Sequence, residues 1–171
     1  MKGVLPRNLK RFLGCSLILV LAFLAGSSPA ALSEAPRRSG LVHWVIDGDT
    51  FQLETGERVR LIGVDTPEYQ PWKKKIQYYG QEASVYSKQM LNQKKVWLEA
   101  DVKKKDKYGR SLAYAYLENG EFVNLRLVEE GYARAKYYKP NGRYRKIFKD
   151  AEKKAKASQK GLWKRSANYA P

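Results

Sequence analysis

The stretch LVHWVIDGDTFQLETGERVRLIGVDTPE, residues 41–68, decides the fold. Leu41 to Ile46 is rich in β-branched and aromatic residues, which suit a pleated, half-buried surface. Asp47-Gly48-Asp49 punctuates it as a turn, and Phe51 to Glu54 resumes an extended run. Thr55-Gly56-Glu57 turns the chain again. Arg58 to Val64 then alternates through Val59 and Leu61 into Ile62 to Val64. Three strands at this spacing predict an antiparallel meander.

Beyond the meander, residues 69–79 read as a loop, with Pro71 and the run Lys73-Lys74-Lys75. From Gly80, the spacing of Ala83, Tyr86, Met90 and Leu91 predicts an amphipathic helix. Val96 to Ala100 and Leu112 to Leu117 are two more strands, separated by the charged turn Lys103 to Gly109. Val123 to Glu130 reads as a second helix, with Leu125 and Val128 inward and Gly131 as its stop. Residues 143–158 read as a basic third helix that presents Tyr144, Ile147, Phe148, Ala151 and Ala155 on one face. Five short strands with added helices predict an α+β fold that is mainly a closed β barrel of OB type.

The N-terminal thirty residues read as an export signal rather than as part of this fold. Lys2, Arg7, Lys10 and Arg11 precede an apolar run from Phe12 to Ala25, and Ser28-Pro29-Ala30 supplies small residues for cleavage. The run is shorter than the ~20 residues of a comfortable membrane span; an uncleaved N-terminal anchor is the other reading. The expected layout is a signal at 1–30, a linker at 31–40, the barrel domain at 41–165 and a tail at 166–171. The chain has 33 Lys and Arg against 17 Asp and Glu, a net charge of +16. Without residues 1–30 the balance is 29 basic to 17 acidic, or +12, and the single Cys is gone. A Cys-free domain suits an oxidising compartment, so a secreted, periplasmic or envelope-associated location is expected.

Composition also narrows the chemistry. A mean hydropathy of −0.61 excludes a multispan membrane protein. One Cys excludes a disulfide framework or a Cys-rich zinc site, and one His excludes any paired-imidazole mechanism. His43, without a second His nearby, reads as structural. Carboxylates, Arg, Lys, Tyr and a hard metal remain. In a meander the start of the second strand lies beside the end of the third. Asp49, Asp65 and Glu68 are thereby placed to converge and, with carbonyls and water, to hold a hard cation such as Ca²⁺. On spacing alone, Asp47 and Asp49 serve a turn equally well. Arg60 and Arg110 stand at strand ends near these acids, and forked, permanently charged donors suit the equatorial oxygens of a phosphoryl transition state. Strict alternation would put Arg60 and Asp65 on opposite faces, so a bulge or a strand end is needed between them.

The motifs Ile46-Asp47-Gly48-Asp49-Thr50, Arg60 to Glu68, Tyr79 to Ser84 and Asp106 to Tyr114 occur in one order and spacing, extended by Val123-Asn124 and Gly161-Leu162-Trp163. Over about residues 40–165 the chain resembles the staphylococcal nuclease family. The resemblance implies an OB-fold five-stranded barrel with three helices and Ca²⁺-dependent hydrolysis of DNA and RNA that leaves 3′-phosphates. It implies Asp49 and Asp65 as carboxylate ligands of Ca²⁺, Thr66 as a carbonyl ligand, Glu68 in water activation, and Arg60 and Arg110 on the scissile phosphate. Lys107 and Tyr108 match positions that contact a terminal phosphate. Tyr137-Tyr138-Lys139-Pro140 resembles a segment whose two tyrosines flank base and sugar, but here they are adjacent; Tyr138 keeps register with Lys-Pro and Tyr137 does not. Stacking on such rings discriminates little between bases.

The lysine runs 73–75 and 103–105 read as attractors of a polyanion or as solvated loops. Nucleic acid is the expected partner, the chain is expected to be monomeric, and membrane contact is expected only through an uncleaved N-terminus. Two other functions compete with the enzyme: a non-catalytic nucleic-acid-binding module of the same fold, and an envelope protein held on anionic polymers by charge. A degenerate module would lack several of Asp49, Arg60, Asp65, Glu68 and Arg110; all five are present.

Overall fold

The computed structural model describes residues 37–164; the expected signal at 1–30 and the tail at 166–171 lie outside the described residues. The strands are β1 (Arg37–Asp47), β2 (Thr50–Leu53), β3 (Arg58–Leu61), β4 (Val64–Asp65), β5 (Tyr69–Gln70), β6 (Lys75–Ile76), β7 (Lys95–Glu99), β8 (Ser111–Leu117) and β9 (Arg134–Ala135). The helices are α1 (Gly80–Leu91), α2 (Val123–Glu129) and α3 (Arg145–Ala157). Five strands close a barrel in the order β1-β2-β3-β8-β7. The meander β1-β2-β3 is antiparallel, with Thr50 opposite Arg60. Closure comes from a parallel β3–β8 pair, which sets Arg60 opposite Leu112. Two register shifts in β1, at Val42/Trp44 and Val45/Asp47, bend it around the barrel.

Three sequence expectations need correction. The strand β1 begins at Arg37, so residues 37–40 are barrel and not linker: they pair with Glu99 to Val96 of β7, and Arg37 reaches the Glu99 carboxylate at 3.3 Å. Residues 69–79 are not a plain loop. Tyr69 pairs with Ile76 and Gln70 with Lys75, closing a hairpin around a 3₁₀ turn at Pro71–Lys73. Ile147 does not share the inner face of α3; it is exposed, whereas Phe148, Ala151 and Ala155 are buried.

The strand β8 shows why the barrel needs its helices. Ala113, Ala115 and Leu117 point into the main core with Phe51, Leu61, Leu91, Leu98 and Leu127. Tyr114 and Tyr116, on the opposite face by the two-residue period, pack with Ile62 and Phe148 in a second cluster. Removing a ring such as Phe51, fully buried, costs about 3–5 kcal/mol through lost transfer energy and a residual cavity.

Candidate active site

The site starts at the β1–β2 turn. Ser87 Oγ on α1 donates to the Gly48 carbonyl at 2.6 Å, which anchors that turn from beneath. Asp49, next in the chain, is buried and accepts from the Thr66 N–H at 2.9 Å and from Thr50 Oγ1 at 3.2 Å. The oxygen that takes the Thr66 N–H, Oδ2, also forms an ion pair with Arg60 Nη1. Arg60 also reaches Asp65 Oδ1 with Nη2, at 3.2 Å. One guanidinium therefore bridges two carboxylates.

The problem of Arg60 and Asp65 facing opposite ways is solved by the strand end. The strand β3 stops at Leu61, and Gly63 turns the chain at φ +79. A side chain there would be strained by that dihedral and would also meet Phe148, whose ring lies 2.4 Å from an added Cβ. Asn124, fully buried on α2, donates to the Ile62 carbonyl at 2.8 Å and accepts from the Ala115 N–H at 2.9 Å, so the turn is pinned between helix and β8.

Arg110 arrives from the other side of the barrel closure. Its Nε donates to Asp106 Oδ2 at 2.7 Å, and its Nη1 lies 3.5 Å from Thr50 Oγ1. Asp106 also accepts from the N–H groups of Tyr108 and Arg110, which shapes the 106–110 turn. A continuous polar chain thus runs from Asp106 through Arg110, Thr50, Asp49 and Arg60 to Asp65.

Glu68 stands apart from this chain. Its carboxylate pairs with Lys75 Nζ at 3.2 Å and accepts from Gln70 Nε2 at 3.2 Å. Its backbone is clamped by Gln77, which donates its N–H to the Glu68 carbonyl at 2.8 Å and accepts from the Glu68 N–H at 2.9 Å. Gly80, at the start of α1, sits so close to the Glu68 carbonyl that an added Cβ would lie 2.4 Å from it. The expected convergence of three carboxylates is therefore met by Asp49 and Asp65 alone. Among the described residues, no group of three or more His, Cys, Asp or Glu is gathered to hold a metal ion.

The donor set still fits a hard cation in part. Asp49, Asp65 and Thr66 offer oxygen atoms only, and no soft ligand is near. Burial pushes the Asp49 carboxyl from 3.8 up to about 6, against the pull of Arg60 and with the nearby Asp47 charge adding to the rise. A buried acid left this short of positive charge is a place where a divalent ion is favourable, with the rest of its shell supplied by water and substrate.

A cleft of about 450 Å³ opens beside Arg60 and Arg110. Lys107, Tyr108 and Tyr138 line it, together with Lys103 and Asn141. Tyr108 and Tyr138 are 72% and 59% exposed, leaving ring surface free for a ligand. Tyr137 lines a separate pocket behind, with the Arg145 guanidinium 4.5 Å over its ring. Asn141 ties the two lips together: its Oδ1 accepts from the Lys103 N–H at 2.7 Å and its Nδ2 donates to the Lys103 carbonyl at 2.8 Å.

Sequence reasoning assigned no role to Ser87, Thr50, Asp106, Gln77, Asn124 or Asn141. Thr50, Asp106 and Asn124 fall inside the quoted motifs, so the signal was present but its meaning was positional.

The chain is similar to known proteins over most of its length. The chain is 44% identical over 154 residues to a thermonuclease of Staphylococcus intermedius, covering 87% of this chain and 91% of that protein. It is 41% identical over 153 residues to the thermonuclease of Staphylococcus hyicus, covering 86% and 90%. The endonuclease YncB of Bacillus subtilis (strain 168) is 40% identical over 126 residues, covering 71% of this chain and 59% of that protein. The family model described as staphylococcal nuclease homologue matches residues 58–165, which takes in Arg60, Asp65, Glu68 and Arg110. With that match over more than half of the chain, the chain belongs to the staphylococcal nuclease family.

Proposed function

We propose that this chain is a nuclease that hydrolyses phosphodiester bonds of DNA and RNA with little sequence preference, using Ca²⁺ and leaving 3′-phosphates. The observation that carries the reading is the placement of two arginines, Arg60 and Arg110, at one cleft while Arg60 is bonded to two carboxylates. A cleft of cations alone would bind nucleic acid; one whose Arg60 is also bonded to Asp49 and Asp65 holds the means to hydrolyse it.

Asp49, Asp65 and Thr66 would hold the cation. When bound, Ca²⁺ supplies charge neutralisation at a phosphate oxygen and orients a water molecule. Arg60 and Arg110 bind the scissile phosphate and offset the charge that grows on its equatorial oxygens, so their effect is greatest in the transition state. Thr50 and Asp106 hold Arg110 in its aim. Glu68 holds or deprotonates the attacking water. The water oxygen bonds to phosphorus, the P–O5′ bond breaks, and the departing 5′ oxygen takes a proton from solvent. Lys107 and Tyr108 take the terminal phosphate, and Tyr138 stacks on a base. Tyr137 lines the pocket behind, under the Arg145 guanidinium, and is given no contact with the strand in this reading. Export to the cell envelope or beyond is part of the same reading, supported by the composition of residues 1–30 and the Cys-free domain; a monomeric state is proposed with it.

Purified protein with single-stranded DNA tests this. Hydrolysis with Ca²⁺ that stops in EGTA is the expected result; undiminished cleavage in EGTA defeats the metal assignment.

A further inference from the structure

The hairpin β5–β6 carries a surface that the catalytic cleft does not use. Trp72, within its 3₁₀ turn, is 68% exposed, the most exposed of the four tryptophans, and Ile76 is 61% exposed. The tip is a defined shape: Pro71 opens the turn, Lys74 closes it at φ 52, and the Lys74 N–H donates to the Pro71 carbonyl at 3.0 Å. Lys73 and Lys74 are exposed and pair with no carboxylate among the described residues. Lys75 pairs with Glu68, and the root of the hairpin is held by Gln77 on the Glu68 backbone. An indole left in water forgoes the burial that ordinarily stabilises a large aromatic residue, and here it is set among three ammonium groups on a fixed turn.

We propose that this tip is a second contact for the nucleic-acid strand, with Trp72 stacking on an unpaired base and Lys73 and Lys74 on the phosphates beside it. The inference rests on the nuclease reading above and adds a site outside its cleft. Single-stranded polynucleotide is the occupant that fits. Stacking on an aromatic face with adjacent cations is how such strands are held without sequence preference, and the charge of the tip is complementary to phosphate. The tip is continuous with the active site, because Trp72 stands four residues from Glu68 on a hairpin rooted there. A strand gripped at Trp72 also brings phosphate to Lys75, which competes with Glu68 for that ammonium.

The test compares the full chain with Trp72→Ala and Trp72→Phe on two substrates, a single strand of about 30 nucleotides, several times the site size of such a fold, and a trinucleotide too short to span cleft and tip. Trp72→Ala is expected to raise KM about tenfold on the long strand, to leave kcat within twofold, and to leave the trinucleotide unchanged; Trp72→Phe restores most of the loss. An unchanged KM on the long strand, or equal loss on both lengths, overturns the proposal. So does a loss of retention on phosphatidylglycerol vesicles with DNA binding intact, which would assign the tip to a membrane surface. If the unmodified chain cleaves neither substrate, the nuclease reading fails by itself. Fluorescence anisotropy of the labelled long strand in EGTA then decides the tip: about tenfold weaker binding by Trp72→Ala supports it, and equal binding overturns it.

Discussion

Two buried carboxylates, Asp49 and Glu99, sit at different places on the same barrel and are treated in opposite ways. Glu99 is 2% exposed and bonds to Arg37, Arg143 and the Tyr144 hydroxyl. Two guanidiniums serve one carboxylate, and the hydroxyl takes up remaining acceptor capacity. Around Asp49 the ratio is reversed: Asp49 and Asp65 share the single guanidinium of Arg60, with Asp47 close by. The first arrangement is closed and joins β1, β7 and the start of α3. The second is left short of positive charge, a state that costs stability unless something cationic arrives. Burial and ion pairing alone do not mark an active site; the local balance of charge separates the two.

That contrast is open to direct attack. Arg110→Ala should lower kcat/KM on single-stranded DNA by about a thousandfold with an unchanged urea unfolding midpoint, because its partners Asp106 and Thr50 remain solvent-accessible or otherwise bonded. A large shift in the midpoint would make Arg110 structural, like Arg143. Glu99→Gln should do the reverse, destabilising the fold by about 3–5 kcal/mol and leaving kcat near its original value under conditions where the variant is folded. Loss of activity without loss of stability would erase the distinction. On a smaller scale, Tyr138→Ala should raise KM about tenfold, whereas Tyr137→Ala should lower stability and spare KM.

The smallest effect concerns Asp101, two residues beyond Glu99. Burial favours its neutral form, but donors from the Tyr114 hydroxyl and the Arg143 and Val102 N–H groups outweigh it and hold the carboxyl below its ordinary 3.8. A carboxyl with a lowered folded value contributes stability above the unfolded range and loses it as pH falls through the folded value. Asp101→Asn should therefore flatten the acid limb of unfolding below about pH 4 and leave the pH dependence above it unchanged. Chemical denaturation at stepped pH measures this.

Local pattern was enough for much of this architecture. Alternation through Val59 and Leu61 and the turns at 47–49 and 55–57 announced the meander, and the spacing of Ala83, Met90 and Leu91 announced α1. The motif spacing brought Asp49, Arg60, Asp65 and Arg110 into view. What pattern could not supply was pairing between distant segments. The parallel β3–β8 closure that delivers Arg110 to Arg60 has no local signature. Arg37 to Gly40 look like linker because their extension depends on β7 as a partner and on Glu99 as a counter-charge. The hairpin at 69–76 was hidden because Pro71 and three lysines are ordinary loop residues, and its short ladder is held from outside by Gln77. The strand spacing placed Glu68 with Asp49 and Asp65 and the resemblance gave it its role, but its bond to Lys75 belongs to this chain's own hairpin.

The contact between Gly63 and Phe148 ties the catalytic turn to α3. The turn that presents Asp65 to Arg60 is seated by a ring eighty-five residues further along the chain. A growing polypeptide that has emerged only through β8 holds every acid and arginine of the site, yet lacks the surface against which that turn rests. The seating of that turn therefore depends on a helix that carries none of the site's acids or arginines.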